Sequence, residues 1–92
     1  MALVVKKYGG TSVANLDYIR RVAWDLAAAK KEGDQVIAVV SAMSGETDRL
    51  LDMASLITPA LAGREQDVLV ATGEQVCSAL LALTLESMGE RA

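Results

Sequence analysis

The residues best suited to chemistry lie near the N-terminus, where two lysines and a tyrosine precede two glycines and two hydroxyl residues (6–12, KKYGGTS). Glycines let a backbone turn tightly, take positive φ and present bare N–H groups to an anion. The ammonium group of Lys6 or Lys7 can add positive charge at the same place. The pattern therefore predicts a phosphate-binding turn, although the chain lacks a G-x-x-x-x-G-K-[ST] motif. The alternative is an ordinary strand-to-helix connection whose glycines only relieve steric crowding.

A strand and a helix are predicted to position this turn. Residues 3–5 are apolar and partly β-branched, which favours a buried strand. Asn15 is suited to cap the following helix, and Asp17 and Arg21 stand four residues apart on it. A helix that begins just after the hydroxyl pair would also direct its positive dipole end at the turn. Its apolar residues recur at helical spacing as Leu16, Ile19, Val22, Ala23, Leu26 and Ala29.

Residues 35–40 form the second predicted strand, which is apolar on both faces as in the interior of a parallel sheet. Strand, helix and strand in this order make a βαβ unit, which is right-handed. The loops after the two strands, residues 8–12 and 41–45, then lie at the same carboxyl edge of the sheet. Open α/β sheets bind their ligands at that edge.

Two more helical patterns follow. The first runs from about residue 47 to 57, with Thr47 as its N-cap, and Pro59 closes it. The second runs from about residue 64 to 88 and is interrupted at Thr72 and Gly73, where we expect a kink or a junction between two helices. Residues 60–65 are left open as a loop or a frayed turn.

The predicted class is α/β, with element order β-α-β-α-α and an incomplete sheet. Sheets usually contain about 4 to 6 strands, so two strands do not make a stable sheet covered on both faces. We expect a third strand beyond Gly89. The 92 residues are then part of a larger α/β protein, which we favour, or a module completed by association.

Composition narrows the function classes. Apolar residues make up 52% of the chain, yet runs such as residues 36–40 fall far short of the roughly 20 residues that a membrane span needs. The net charge of −3, the absence of histidine and the small number of aromatic residues argue against nucleic-acid binding. A single cysteine, Cys77, excludes an internal disulfide and predicts a buried apolar residue. Lys6 and Lys7 interrupt any signal peptide, so a cytoplasmic location is expected.

Three motifs resemble those of the aspartokinases, in the amino-acid kinase superfamily. Residues 7–13 (KYGGTSV) resemble the K-F-G-G-T-S-V motif that opens these enzymes, with Tyr8 in place of the commoner phenylalanine. Residues 39–48 (VVSAMSGETD) resemble the second motif, and residues 72–74 (TGE) the third, in the same order and spacing. The resemblance covers essentially the whole chain. It implies that residues 1–92 are the N-terminal part of a catalytic domain, without the regulatory ACT domains of the family.

The resemblance implies a fold and an activity. The fold would be the start of a three-layer, parallel-sheet (carbamate kinase-like) amino-acid kinase domain. The full protein would use ATP, with Mg²⁺ bound to it, to phosphorylate the β-carboxylate of L-aspartate to 4-phospho-L-aspartate, the first step toward lysine, threonine and methionine. It would be a cytoplasmic homo-oligomer, and the isolated 92 residues would be inactive.

The resemblance also implies residue roles. Lys7 would stabilise charge on the transferring γ-phosphate, since transfer to an anionic carboxylate needs positioning and charge stabilisation more than a base. The other ATP-binding residues would be Tyr8, Gly9, Gly10 and Ser41. The substrate-binding residues would be Gly45, Glu46, Thr47, Asp48, Arg49 and Glu74. No metal site built by the protein itself is expected.

Each role has a plainer alternative. Lys7 can be a solvated lysine at a strand end, Ser41 a turn or cap residue, Thr47 a helix cap and Glu74 a solvated carboxylate. At the level of the whole chain, the alternatives are a small non-enzymatic nucleotide-binding or subunit-interaction module, or another amino-acid kinase such as a glutamate or carbamate kinase.

Overall fold

The structure is a computed structural model that describes residues 2–58 and 63–92. Its elements are β1 (Leu3–Tyr8), a 3₁₀ turn (Gly10–Val13), α1 (Leu16–Lys31), β2 (Gln35–Val40), α2 (Glu46–Ile57) and α3 (Arg64–Ser87). The predicted order β-α-β-α-α is confirmed, with the 3₁₀ turn added. Pro59 and residues 60–62 of the loop predicted at residues 60–65 lie outside the described residues. Residues 64 and 65 belong to α3.

The two strands form a parallel pair in which Leu3 lies opposite Gln35 and Tyr8 opposite Val40. The inner face of the pair packs against α1 and α3 through half-buried side chains that include Val36, Ala38 and Val40. The outer face is exposed, with Leu3 at 67% and Val5 at 62% of full exposure. The predicted burial of both strands is therefore found on one face only, because the described helices do not cover the other face.

Helix α1 crosses α3 in the core, which also includes the end of the 3₁₀ turn. The core residues are Val13, Ile19, Val22, Ala23, Leu26, Cys77 and Leu81. Cys77 is fully buried, as predicted, and this burial raises the pKa of its thiol above the usual value. Leu16 is the exception to the predicted apolar stripe, because at the first position of α1 it is half exposed.

At the start of α1 the predicted cap is present, but the predicted pairing of Asp17 with Arg21 is not. The side chain of Asn15 accepts hydrogen bonds from the N–H groups of Asp17 and Tyr18, at 3.0 and 3.2 Å. Asp17 pairs with Arg20 at 2.9 Å and not with Arg21. The guanidinium of Arg21 instead lies 5.1 Å from the centre of the Tyr18 ring.

Gly73 does not interrupt α3, so the predicted junction between two helices is wrong. The helix is continuous from Arg64 to Ser87, and Gly73 is buried within it. A Cβ atom at this position would lie 3.2 Å from Ala42 Cβ and 3.2 Å from Glu46 Cγ. The missing side chain thus lets α3 approach the start of α2 and the loop before it.

We expect the Gly73→Ala substitution to destabilise the full-length protein by about 1–3 kcal/mol, because the added methyl group overpacks this crossing. Alanine in an exposed helix would have the opposite effect, a gain of about 1 kcal/mol. Urea unfolding measures the difference. Gly9→Ala is the matched control, since a Cβ there meets no atom within 4 Å. A Gly73→Ala protein at least as stable as the control would contradict the packing argument.

Helix α3 is, within residues 2–58 and 63–92, the one helix long and apolar enough to cross a membrane by length and composition. Unbroken apolar runs did not indicate this property, because Thr72, Glu74 and Gln75 interrupt the run in α3. The mean hydropathy of the helix nevertheless stays high. A helix that packs into a protein core meets the same criteria. In α3 the buried residues are Gly73, Cys77 and Leu81, and 17% of the apolar window is buried.

Candidate active site

A cavity of about 420 Å³ lies at the carboxyl ends of the two strands. The 3₁₀ turn after β1, the loop after β2, the start of α2 and one turn of α3 surround it. Two glycines and six residues with polar side chains line it: Gly10, Gly45, Thr11, Ser41, Ser44, Thr47, Asp48 and Glu74. The three sequence motifs therefore meet at the edge of the sheet where ligands of α/β proteins bind.

Backbone hydrogen bonds fix the glycine turn. The N–H of Ser41 donates to the carbonyl oxygen of Tyr8 at 3.2 Å, which ties the ends of the two strands together. The N–H of Ser12 donates to the carbonyl oxygen of Gly9 at 3.0 Å and closes the 3₁₀ turn. Gly9 is extended, with φ −75° and ψ 176°, and neither Gly9 nor Gly10 takes the positive φ that we predicted. At Gly9 the absent side chain leaves the backbone uncovered.

The helix terminus beside the cavity belongs to α2 and not to α1. Helix α1 begins only at Leu16, after its cap, so its dipole end does not adjoin the glycine turn. Gly45 is the N-cap of α2 and adopts a left-handed conformation with φ 78° and ψ −8°. The predicted cap, Thr47, instead lies in the first turn of α2 and lines the cavity. The positive end of the α2 dipole therefore adjoins the place predicted for an anion.

The alternation of side chains along β1 separates the two adjacent lysines. Lys6 faces α1, where its Nζ binds Oδ2 of Asp25 at 3.1 Å. Lys7 lies on the exposed face, opposite Val39 in the strand register. No carboxylate of the described residues forms an ion pair with Lys7. Lys7 does not line the 420 Å³ cavity, but its ammonium group is available to a ligand that extends over the strand end.

Comparison with known proteins identifies the family of the chain. The family model described as "Amino acid kinase family" matches residues 2–92. The chain belongs to the amino acid kinase family. The aspartokinase of Mycobacterium tuberculosis is 52% identical over 92 residues, which are 100% of this chain and 22% of the relative. The aspartate kinase of Pseudomonas putida is 49% identical over 89 residues, 97% of this chain and 22% of the relative.

The fold of the chain is also that of an amino acid kinase. The crystal structure of the aspartate kinase from Synechocystis superposes with a TM-score of 0.89 at 43% identity, over 94% of this chain and 15% of that chain. The predicted family and fold class are thereby confirmed. The chain spans about a fifth of the length of the curated relatives it matches, as the 22% coverage shows.

The other predicted residues of the amino acid kinase site fall into two groups. Gly10, Ser41, Gly45, Thr47, Asp48 and Glu74 line the cavity, whereas Gly9, Glu46 and Arg49 do not. Glu46 and Arg49 bind each other on the surface of α2, with Arg49 Nε 3.1 Å from Glu46 Oε2. This guanidinium lowers the pKa of the Glu46 carboxyl group. The roles predicted for these two residues remain predictions.

Tyr8 also lies away from the cavity of this amino acid kinase chain. Its ring packs against the core, and its hydroxyl group donates to Asp25 Oδ2 at 2.5 Å. Burial and the adjacent negative charge raise the pKa of the Tyr8 hydroxyl above its usual value. The ATP-binding role predicted for Tyr8 remains a prediction.

Thr11 and Ser44 were missed as site residues. Both place hydroxyl-bearing side chains in the cavity lining. The sequence could have indicated both, because Thr11 lies in the first motif of the family resemblance and Ser44 in the second. Within the part of the chain that the structure describes, no group of three or more His, Cys, Asp or Glu side chains could hold a metal ion.

Proposed function

We propose that this chain is the N-terminal segment of an ATP-dependent aspartate kinase, which converts L-aspartate to 4-phospho-L-aspartate. The observation that carries the proposal is the meeting of all three motifs in one cavity, with Thr11, Ser41 and Glu74 each contributed by a different element. The similarity to relatives named aspartokinase and aspartate kinase supports the same substrate.

The reaction requires no protein nucleophile. A β-carboxylate oxygen of aspartate bonds to the γ-phosphorus of ATP, the bond from that phosphorus to the bridging oxygen breaks, and ADP leaves with the electron pair. Both reactants are anions, so the protein must hold them close together and offset developing negative charge. The cavity suits this task because it combines backbone N–H groups, hydroxyl groups and a helix N-terminus in one place.

On the ATP side, the uncovered backbone of Gly9 and Gly10 would bind phosphate oxygens, and Ser41 would donate a hydrogen bond to one of them. Lys7 would stabilise the γ-phosphate from the outer face of β1. Mg²⁺ bound to ATP would add positive charge, and the carboxylate and hydroxyl oxygens of the cavity are the ligand type that it prefers.

On the aspartate side, Glu74 would bind the α-ammonium group, because a carboxylate forms a charge-assisted hydrogen bond with that cation. Gly45 and Thr47 would contact the rest of the amino acid from the start of α2, beside Asp48. We include Glu46 and Arg49 in the substrate loop as its outer ion pair.

The remaining features of the enzyme are proposed from the family resemblance. The full-length protein would be a cytoplasmic homo-oligomer with regulatory ACT domains. Its product would enter the synthesis of lysine, threonine and methionine. The isolated 92 residues would be inactive, since they lack the rest of the catalytic domain.

The test uses the full-length protein with ATP-Mg²⁺ and, in separate reactions, L-aspartate, L-glutamate or carbamate. We expect ADP release with aspartate and formation of an acyl phosphate, trapped as its hydroxamate by hydroxylamine, with little of either when glutamate is used. Preference for glutamate or carbamate would indicate another amino acid kinase. Binding of ATP without turnover of any of these acceptors would indicate a non-enzymatic nucleotide-binding module.

A further inference from the structure

The strand that leads into the glycine turn is held from the side by one carboxylate. Asp25 lies on α1, and its Oδ2 atom accepts hydrogen bonds from the hydroxyl group of Tyr8 at 2.5 Å and from Nζ of Lys6 at 3.1 Å. Helix α1 packs mainly on α3, β2 and the 3₁₀ turn. These two bonds therefore form a polar link between α1 and the end of β1.

The link acts on both sides of Lys7. Lys6 and Tyr8 are its immediate neighbours, and both point to the inner face of the sheet. Fixing these two side chains fixes the twist of the strand between them, and with it the direction in which Lys7 leaves the outer face. Tyr8 also directly precedes Gly9, so the same bonds fix the start of the glycine turn.

The protonation states suit a permanent link. The hydrogen bond from Tyr8 and the ammonium group of Lys6 lower the pKa of the Asp25 carboxyl group, which stays ionised and accepts from both partners. The raised pKa of Tyr8 keeps its proton available for donation. Asp25 also offsets the charge of Lys6 and leaves Lys7 as the free cation of the adjacent pair.

Stability is a poor explanation for this arrangement. The Asp25 side chain is 54% exposed and that of Lys6 32%, and ion pairs this close to solvent contribute little to folding. Removal of the carboxylate should therefore change the geometry of the turn more than the stability of the domain.

We propose that Asp25 is a positioning residue for ATP, which holds Tyr8 and Lys6 against α1 so that the Gly9–Gly10 backbone and Lys7 meet the phosphates in a fixed geometry. This inference rests on the proposed function, since it assigns the turn to ATP. It assigns Tyr8 a role in supporting the turn through its hydroxyl group.

The test measures the dissociation constant of ATP-Mg²⁺ by calorimetry in the full-length protein, together with KM for aspartate and the urea unfolding midpoint. We expect Asp25→Ala to weaken ATP binding about tenfold, because a turn that adopts the binding geometry only about a tenth of the time lowers the apparent affinity by that fraction. KM for aspartate and the unfolding midpoint should stay close to the wild-type values. Asp25→Asn, which keeps an acceptor for Tyr8, should recover part of the loss.

Two further variants show whether the effect passes through Tyr8. Asp17→Ala removes a carboxylate from the same helix that pairs with Arg20 and not with β1, so ATP binding should not change. In a Tyr8→Phe background, Asp25→Ala should cost less than it does alone, because residues that act together are not additive. Three results would each overturn the proposal. They are full additivity of the Asp25 and Tyr8 substitutions, unchanged ATP binding in Asp25→Ala, and an equal loss of ATP binding, aspartate binding and stability.

Failure of this inference can be told apart from failure of the proposed function. A wild-type protein that binds ATP but does not phosphorylate aspartate would refute the proposed activity, while the calorimetric comparison would still test Asp25. Normal aspartate kinase activity with unchanged ATP binding in Asp25→Ala would refute only the role of Asp25. A wild-type protein that does not bind ATP would refute both.

Discussion

Replacing Lys7 by alanine in the full-length protein should lower kcat for aspartate phosphorylation by roughly 10²- to 10³-fold, the usual cost of removing one group that stabilises charge in a transition state. The structure supplies the reason for choosing this lysine over its neighbour. Lys6 is bound to Asp25 at 3.1 Å, whereas Lys7 is exposed at the end of β1. KM for aspartate should change little, because the ammonium group acts on the γ-phosphate.

Two lysine variants serve as comparisons for this measurement. Lys31→Ala removes an exposed lysine from the last turn of α1, at the opposite end of the strands from the proposed site. This substitution should leave kcat unchanged. Lys6→Ala removes one of the two partners of Asp25 and should have a smaller effect than Lys7→Ala. If Lys7→Ala turned over at the wild-type rate, the catalytic role of this lysine would have to be abandoned.

Local features of the fold were predictable because they depend on neighbouring residues. Asn15 caps α1 as expected, since an Asn side chain reaches the N–H groups two and three residues ahead. The two strands and their shared carboxyl edge follow from a short apolar run on either side of one helix. The meeting of Gly10, Ser41 and Glu74 in one cavity needed the family motifs as well, because spacing does not show where a third element packs.

Long-range contacts account for most of the failures. Gly73 looked like a helix break, but its place is set by Ala42 and Glu46, more than 25 positions away in the sequence. The separation of Lys6 and Lys7 also depends on packing. Side-chain alternation puts them on opposite faces, and the contacts of Tyr8 with the core and of Lys6 with Asp25 show which face is the inner one.

The turn itself was misjudged for a different reason. Two consecutive glycines suggested positive φ, whereas Gly9 is extended and the left-handed residue of the site is Gly45. Glycine permits a left-handed conformation but does not require it. At Gly9 the missing side chain leaves space around the backbone. At Gly45 glycine allows the left-handed conformation from which α2 begins beside the cavity.

The substrate side of the site should respond to Glu74. We expect Glu74→Gln to raise KM for aspartate roughly 10- to 100-fold, because the α-ammonium group loses its charged partner. Because Glu74 is assigned to the α-ammonium group of aspartate and not to the phosphates of ATP, kcat should fall much less than in Lys7→Ala. The contrast between a KM effect and a kcat effect separates the two halves of the proposed site.

Glu86→Gln is the matched control, since it neutralises another exposed carboxylate on the same helix, outside the cavity lining. Equal KM values in the Glu74 and Glu86 variants would show that Glu74 is only a solvated side chain. A rise in KM for aspartate found only in the Glu74 variant would instead give the close approach of α3 at Gly73 a functional reason. The residue without a side chain lets α3 come near enough to the start of α2 for the next residue, Glu74, to reach the cavity that Ser41 and Thr47 share.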